Sequence, residues 1–170
     1  MDLSRVKNRM LATVFTAFPS LAARWAKRLE QDMDRIPWAE PIKPLHLATL
    51  ALVTTGGVHR CEDAPFDMKD PDGDPSFREV PVNTGREQLE ITHDYYDHAH
   101  AREDINLVFP VDRLRTLDTH DAVGRVHPVA YSFMGHIDGR HLKTLRQKGA
   151  RAVASRLREA GVDYALLVPA

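Results

Sequence analysis

Apolar side chains recur every three or four positions through the first thirty residues: Leu3, Val6, Met10, Val14 and Phe15, then Leu21, Ala22, Trp25 and Leu29. That spacing predicts amphipathic helix with one stripe turned to a core. Pro19 removes a helical N–H donor, so a kink or restart is expected at Phe18-Pro19-Ser20. Pro37, Pro41 and Pro44 then stiffen a connector over Ile36–Pro44, with Trp38 as its anchor. Residues 1–44 are thus set apart, as helices and linker, from an α/β domain over 45–170.

Beyond the connector the period changes. Leu47–Thr54 is a continuous apolar run that stops at Thr55-Gly56-Gly57, the pattern of a strand buried on both faces. Ile105–Phe109 is a second short run, halted by Pro110, and Val111–Thr119 reads as a short helix. Val129–Met134 reads as a third strand, broken at Gly135. A long helix is predicted over Asp138–Ala160, weakened at Gly149 and stopped at Gly161. Tyr164–Val168 reads as a last strand. Strands alternating with helices predict an α/β fold: a mainly parallel open sheet of about four strands with the N-terminal helices packed on it. A sheet ending on an uncovered apolar strand also predicts a homo-oligomer through that strand.

Composition narrows the class. The chain has 170 residues, 43% hydrophobic and 28% charged, with a net charge of −1, enough for one cored domain and without the basic excess of a nucleic-acid or membrane-surface binder. Cys61 is the single cysteine, so no intrachain disulfide forms. Arg5, Lys7 and Arg9 interrupt any signal-peptide apolar region, and the apolar stretch at 45–55 is about half a membrane span. The expected location is the cytoplasm. The charge is unevenly spread: residues 60–104 hold 13 acidic and five basic side chains, so the segment is −8 and the remainder +7. Such an acidic, Pro- and Gly-punctuated stretch reads either as a functional or partner surface or as a solvated loop.

Two places carry candidate chemistry. Thr55-Gly56-Gly57 follows a strand's carboxyl end, where open α/β sheets bind ligands, and its amides are candidates to meet a carboxylate. The third glycine of a dinucleotide fingerprint is missing. The stretch from Thr92 to His100 holds three histidines and two aspartates, yet matches no zinc spacing, so it reads as a substrate-facing or structural polar loop. Asp70–Asp74 fails the EF-hand pattern, since glycine is fourth and Pro81 twelfth, and Pro71-Asp72-Gly73 reads as a turn. Ser132 lacks the glycines of a nucleophile elbow. No metal and no cofactor are expected.

Several stretches together resemble one family: ALVTTGGVH (51–59), DPSFREVP (74–81), ITHDYYD (91–97), DINLVFPVDRL (104–114), YSFMG (131–135) and GVDYALLVPA (161–170). In this order they are similar to the glycine/sarcosine/betaine/D-proline reductase selenoprotein B family. The resemblance implies reductive chemistry on small amino-acid-like or N-methylated substrates, with a selenocysteine or cysteine as reactive centre and a thiol/disulfide protein as electron donor. In the family that residue follows directly after the strand that here reads Tyr164–Val168. The chain stops at Ala170, so no catalytic residue carries over. The selenocysteine or cysteine is expected immediately after Ala170, the frame is read as cut at a UGA codon, and the 170-residue form is expected to be inactive. Cys61 is a poor stand-in, because Glu62 and Asp63 beside it disfavour a thiolate.

What carries over is scaffold and pocket wall, a substrate-binding set of Thr55, Gly56, Gly57, His59, His93, Asp94, Tyr96 and Asp97. Thr55–Gly57 and the His93–Asp97 loop are expected to converge at one sheet edge. Two other readings stand beside this one: a non-catalytic small-molecule-binding or subunit protein, and a metal-dependent hydrolase using His59 with His93, His98 and His100.

Overall fold

The computed structural model describes residues 10, 13–14, 17–21, 23–24 and 39–170. They fall into two compact units, 1–40 with 94–97, and 41–93 with 98–170. Leu3, Val6, Phe15, Ala22, Trp25, Leu29 and Trp38 lie outside the described residues. In the first unit the described positions from 10 to 24 are helical except Phe18. The break falls where Pro19 was expected to force one.

The larger unit is built on a five-stranded sheet. Its centre is β1 (Thr49–Thr54), flanked on one side by β5 (Arg125–Val126) and β6 (Val129–Phe133) and on the other by β7 (Tyr164–Val168), all parallel to it. The outermost strand beyond β6 is β3 (Phe77–Pro81), antiparallel. β5 and β6 run as one interrupted line along β1. Thr49 faces Arg125, whereas Val53 faces Tyr131, so two extra residues enter at His127-Pro128. A two-residue slip returns every side chain to its own face, which a one-residue slip would not.

The sheet carries a core on each face. On one, Tyr131 and Phe133 pack with Val153, and Val53, Phe77, Leu145 and Leu157 surround them. Val153 and Leu157 belong to α4 (Ala150–Glu159), which continues α3 (His141–Thr144) through a π-turn at Leu145–Gly149. The predicted long helix is therefore one run with a wider turn inside it. Gly149 permits close approach: a methyl there would fall 3.3 Å from the Phe133 ring and 3.2 Å from the Pro75 carbonyl oxygen. Gly161, at φ +68°, ends the run with Val162 N–H donating to Leu157 O. On the other face lies the segment that leads into α2 (Val111–Thr119), where Val108, Phe109, Val111 and Leu114 are buried.

Two sequence readings are corrected. Ile105–Phe109 is not a strand. Ile105–Leu107 is a 3-10 turn capped by the Asp104 carboxylate, which accepts from Asn106 N–H. Buried Ile105, Val108 and Phe109 sit at offsets of three and four, a helical spacing inside a run too short to reveal it. Of the two readings of the acidic segment, the solvated loop does not hold. The segment supplies β3, and it pairs β2 (Val58–Arg60) with β4 (Leu89–Ile91) in a small antiparallel sheet, ahead of the short helix α1 (Ala99–Glu103). Its Pro71-Asp72-Gly73 turn is present, with Gly73 N–H donating to Asp70 O. Among the described residues no helix is long and apolar enough to cross a membrane.

Candidate functional site

Three parallel strands, β1, β6 and β7, end at the same edge of the sheet, and their last residues meet. Thr55 N–H donates to Val168 O at 3.0 Å, and Ala170 N–H donates to Thr55 Oγ1 at 3.0 Å. The link from β6 is made by absence of a side chain. A methyl on Gly135 would stand 2.7 Å from Ala170 O, 2.7 Å from His93 Nε2 and 3.0 Å from Thr55 O. Only glycine lets the His93 ring, the Thr55 main chain and the end of β7 converge here. The imidazole is 3% exposed.

The glycine pair explains how His93 arrives. Gly57, at φ +67°, turns the chain out of β1, and its amide donates to Phe133 O at 2.9 Å. Its carbonyl accepts from Thr92 N–H at 2.9 Å, and a side chain at 57 would fall 2.4 Å from Thr92 O and 3.1 Å from His93 Cβ. Thr54 fixes the other half of the turn: its buried hydroxyl donates to Val108 O at 2.6 Å and accepts from Gly56 N–H at 2.9 Å. The amides of Thr55, Gly56 and Gly57 therefore all donate within the protein, so a ligand at this edge would meet side chains rather than those N–H groups.

His59 is 1% exposed on β2. Its Nδ1 lies 2.8 Å from Arg60 O, its Nε2 2.8 Å from Thr92 Oγ1, and Phe66 packs edge-on at 6.1 Å. A carbonyl only accepts, so Nδ1 carries the hydrogen and Nε2 accepts from Thr92. His59 thus holds Thr92, and through it the approach of His93. Asp94, Tyr96 and Asp97 belong to the smaller unit. There Asp94 is buried, and burial pushes the Tyr96 phenol up to about 12. Among the described residues no group of three or more His, Cys, Asp or Glu is placed to hold a metal ion.

Sequence reasoning missed Gly135, Thr54 and Thr92. Gly135 was visible only as a strand breaker. That a glycine after a strand also marks close approach of other groups is the signal that could have found it. A turn further on, Asp70 anchors the chain that leaves Gly135. Its carboxylate accepts from His141 Nε2 at 3.0 Å and pairs with Arg140, and His136 Nε2 contacts Pro71 O at 2.9 Å. His141 first, then the Asp72 amide and Arg140, hold the Asp70 carboxyl down at about 2.

Comparison with known proteins identifies the family. The sequence model described as glycine/sarcosine/betaine reductase selenoprotein B matches residues 28–170. The D-proline reductase subunit gamma of Acetoanaerobium sticklandii is 35% identical over 130 residues, covering 76% of this chain and 52% of the relative. The betaine reductase complex component B subunit beta of Peptoclostridium acidaminophilum is 33% identical, over 79% of this chain and 30% of the relative. The glycine reductase complex component B subunit gamma of Carboxydothermus hydrogenoformans is 30% identical, over 79% and 31%. The chain thus covers from 30% to 52% of these relatives' lengths. No solved structure matches it.

Proposed function

The chain belongs to the glycine/sarcosine/betaine reductase selenoprotein B family, and from that premise we propose that it is the scaffold and pocket wall of a reductase component acting on small amino-acid-like or N-methylated substrates. The observation that supports the reading is the corner where β1, β6 and β7 end, where the missing side chain of Gly135 lets the His93 ring approach. A selenol or thiol at that edge, beside the carboxyl ends of the strands, would supply the reducing group, re-reduced by a thiol/disulfide protein. The chain's own residues do the positioning. The Thr55 side chain ties β7 to β1, the Gly56-Gly57 turn sets the wall, and His93 presents Nε2 to the corner as the group that orients a substrate or hands it a proton.

The test uses the 170-residue chain itself. Amide and imidazole resonances are followed by NMR while glycine, sarcosine, betaine or D-proline is added. The expected result is a saturable shift centred on Thr55, His93 and Gly135 for at least one of the four, abolished in His93→Phe. Shifts confined elsewhere, or none from any of the four, overturn the pocket. The redox half is read from the gene: an in-frame UGA or cysteine codon directly after that for Ala170, with coding sequence beyond it, supports the reductase. A UAA or UAG there leaves the non-catalytic subunit reading in its place.

A further inference from the structure

Gly135 is held from both sides by distant parts of the chain. Met134, the residue before it, forms a bridge with Gly56, and Ile137, two residues after it, forms one with Gly73. The second bridge depends on the turn over 70–73. A methyl on Gly73, at φ +83°, would fall 1.8 Å from His136 O, so only glycine lets this turn lie against the chain that leaves the corner. Two further bonds fasten it there. Asp138 N–H donates to Asp72 O at 2.9 Å. His136 Nε2 donates to Pro71 O at 2.9 Å, since a carbonyl only accepts.

Asp70 joins the turn to the helix beyond it. Its Oδ1 accepts from Asp72 N–H at 3.0 Å and its main-chain carbonyl from Gly73 N–H at 3.1 Å, which closes the turn. Its Oδ2 accepts from His141 Nε2 at 3.0 Å and from Arg140. The Asp70 and His141 side chains are only 19% and 20% exposed, so water screens this pair less than it screens a surface ion pair. We infer that Asp70 is a positioning residue for the corner: by tying the 70–73 turn to Arg140 and His141 it fixes the span that carries Gly135, and with it the approach of His93 Nε2 to the Thr55 main chain. The route is short. Ile137 is two residues from Gly135, and planar peptide units pass a displacement of the turn along that distance with little slack. A group that orients a substrate or hands it a proton has to be held to within about 0.5 Å. This role rests on the corner being the substrate pocket. The coupling itself is read on the His93 ring with no substrate present, so the two fail separately.

The test follows the histidine rings of the ligand-free 170-residue chain by NMR. Asp70→Asn keeps the shape of the side chain but has one acceptor oxygen where the carboxylate has two, so either the turn or the clamp loses its bond. The His93 ring resonances should shift. Those of His127 should stay in place, because His127 is buried ahead of β6, at the far end of that strand from Gly135, with its N–H on Leu50 O. His141→Leu should also shift His93. His141→Gln, whose side-chain amide can donate where Nε2 does, should recover most of the unsubstituted position, which a general loosening would not allow. Circular dichroism reports that each variant is folded, and the His141 pair carries the test if Asp70→Asn is not. An unmoved His93 in folded Asp70→Asn or His141→Leu, equal shifts of His93 and His127, or equal shifts in the glutamine and leucine variants overturns the inference.

Discussion

β3 and β7 are the two outer strands of one sheet, each five residues long, and they meet water in opposite ways. β3 is sealed. Arg156 of α4 reaches over the Phe77 ring, 5.2 Å from its centroid, and pairs with Glu79. Arg78 stacks 4.3 Å from the Phe66 centroid and donates to Ala64 O and Pro65 O at 2.8 and 3.1 Å, drawing the 64–66 segment over the strand. Pro81 ends it without an N–H. Inside, Val80 is fully buried, and Phe77 packs on Tyr131 and Phe133 at 5.9 and 5.6 Å. Among the described residues β7 has none of this beyond an anchor at its start, where Asp163 holds Lys43 and Thr49, and Tyr164 OH donates to Lys43 O. The more apolar of the two strands is thus the more exposed. Hydropathy reports what a strand could bury, whereas the neighbours that long-range folding supplies decide what it does bury.

The largest expected effect separates the two edges directly. Val80→Ala removes fully buried volume from β3 beside Ala130 and should lower unfolding stability by about 2 kcal/mol, whereas Leu167→Ala should change it by no more than about 0.5 kcal/mol. Urea midpoints for the two variants measure this. Equal losses would mean that β7 is covered in the folded chain and would erase the contrast.

Arg78→Ala comes next, at about 1–2 kcal/mol, because it leaves two carbonyls without their donor and uncovers Phe66. Arg78→Lys should recover less than half. An ammonium is a compact point charge and does not reproduce the planar fork that serves the ring and both carbonyls at once. Faster amide exchange over the 64–66 segment should accompany the loss. If lysine restores full stability, simple charge rather than that fork seals the edge.

The smallest effect is the pH dependence of the turn that leads into β3. Asp70 sits at about 2 in the folded protein, below its ordinary 3.8. Its contribution is therefore complete above the ordinary value and is lost as pH falls through about 2. Carboxyl-carbon NMR of Asp70 should show a midpoint near that value, and Asp70→Asn should flatten the acid limb of the stability profile. A midpoint at the ordinary value would show that His141 and Arg140 do not hold the turn.

The elements set by local chemistry were legible in the chain. β1, β6 and β7 follow from apolar runs ended by Thr55, Gly135 and Pro169, α2 from the segment after Pro110, and the helix stop from a positive φ that Gly161 supplies. β3 was not legible, because Arg78 and Glu79 look like loop residues until Phe66, Pro65 and Arg156 arrive from elsewhere in the chain to meet them. Ile105–Phe109 deceived in the other direction, since a run of five residues holds too little period to tell turn from strand.

At the site, the glycines after β1 and the histidine at 93 could be singled out by residue type. The sequence by itself determined that a strand ends on a glycine pair, and that a polar, histidine-bearing segment lies some thirty residues on. Only the tertiary structure decided that His59 would point into packing while His93 points at the sheet's edge, and that the turn amides would be spent within the protein. It also decided that Gly135 would be the gap through which β1, β6 and β7 share one corner. The reason is physical: a side chain's type is written in one position, but its direction and its partners depend on groups brought together from far along the chain, 115 residues in the case of Thr55 and Ala170.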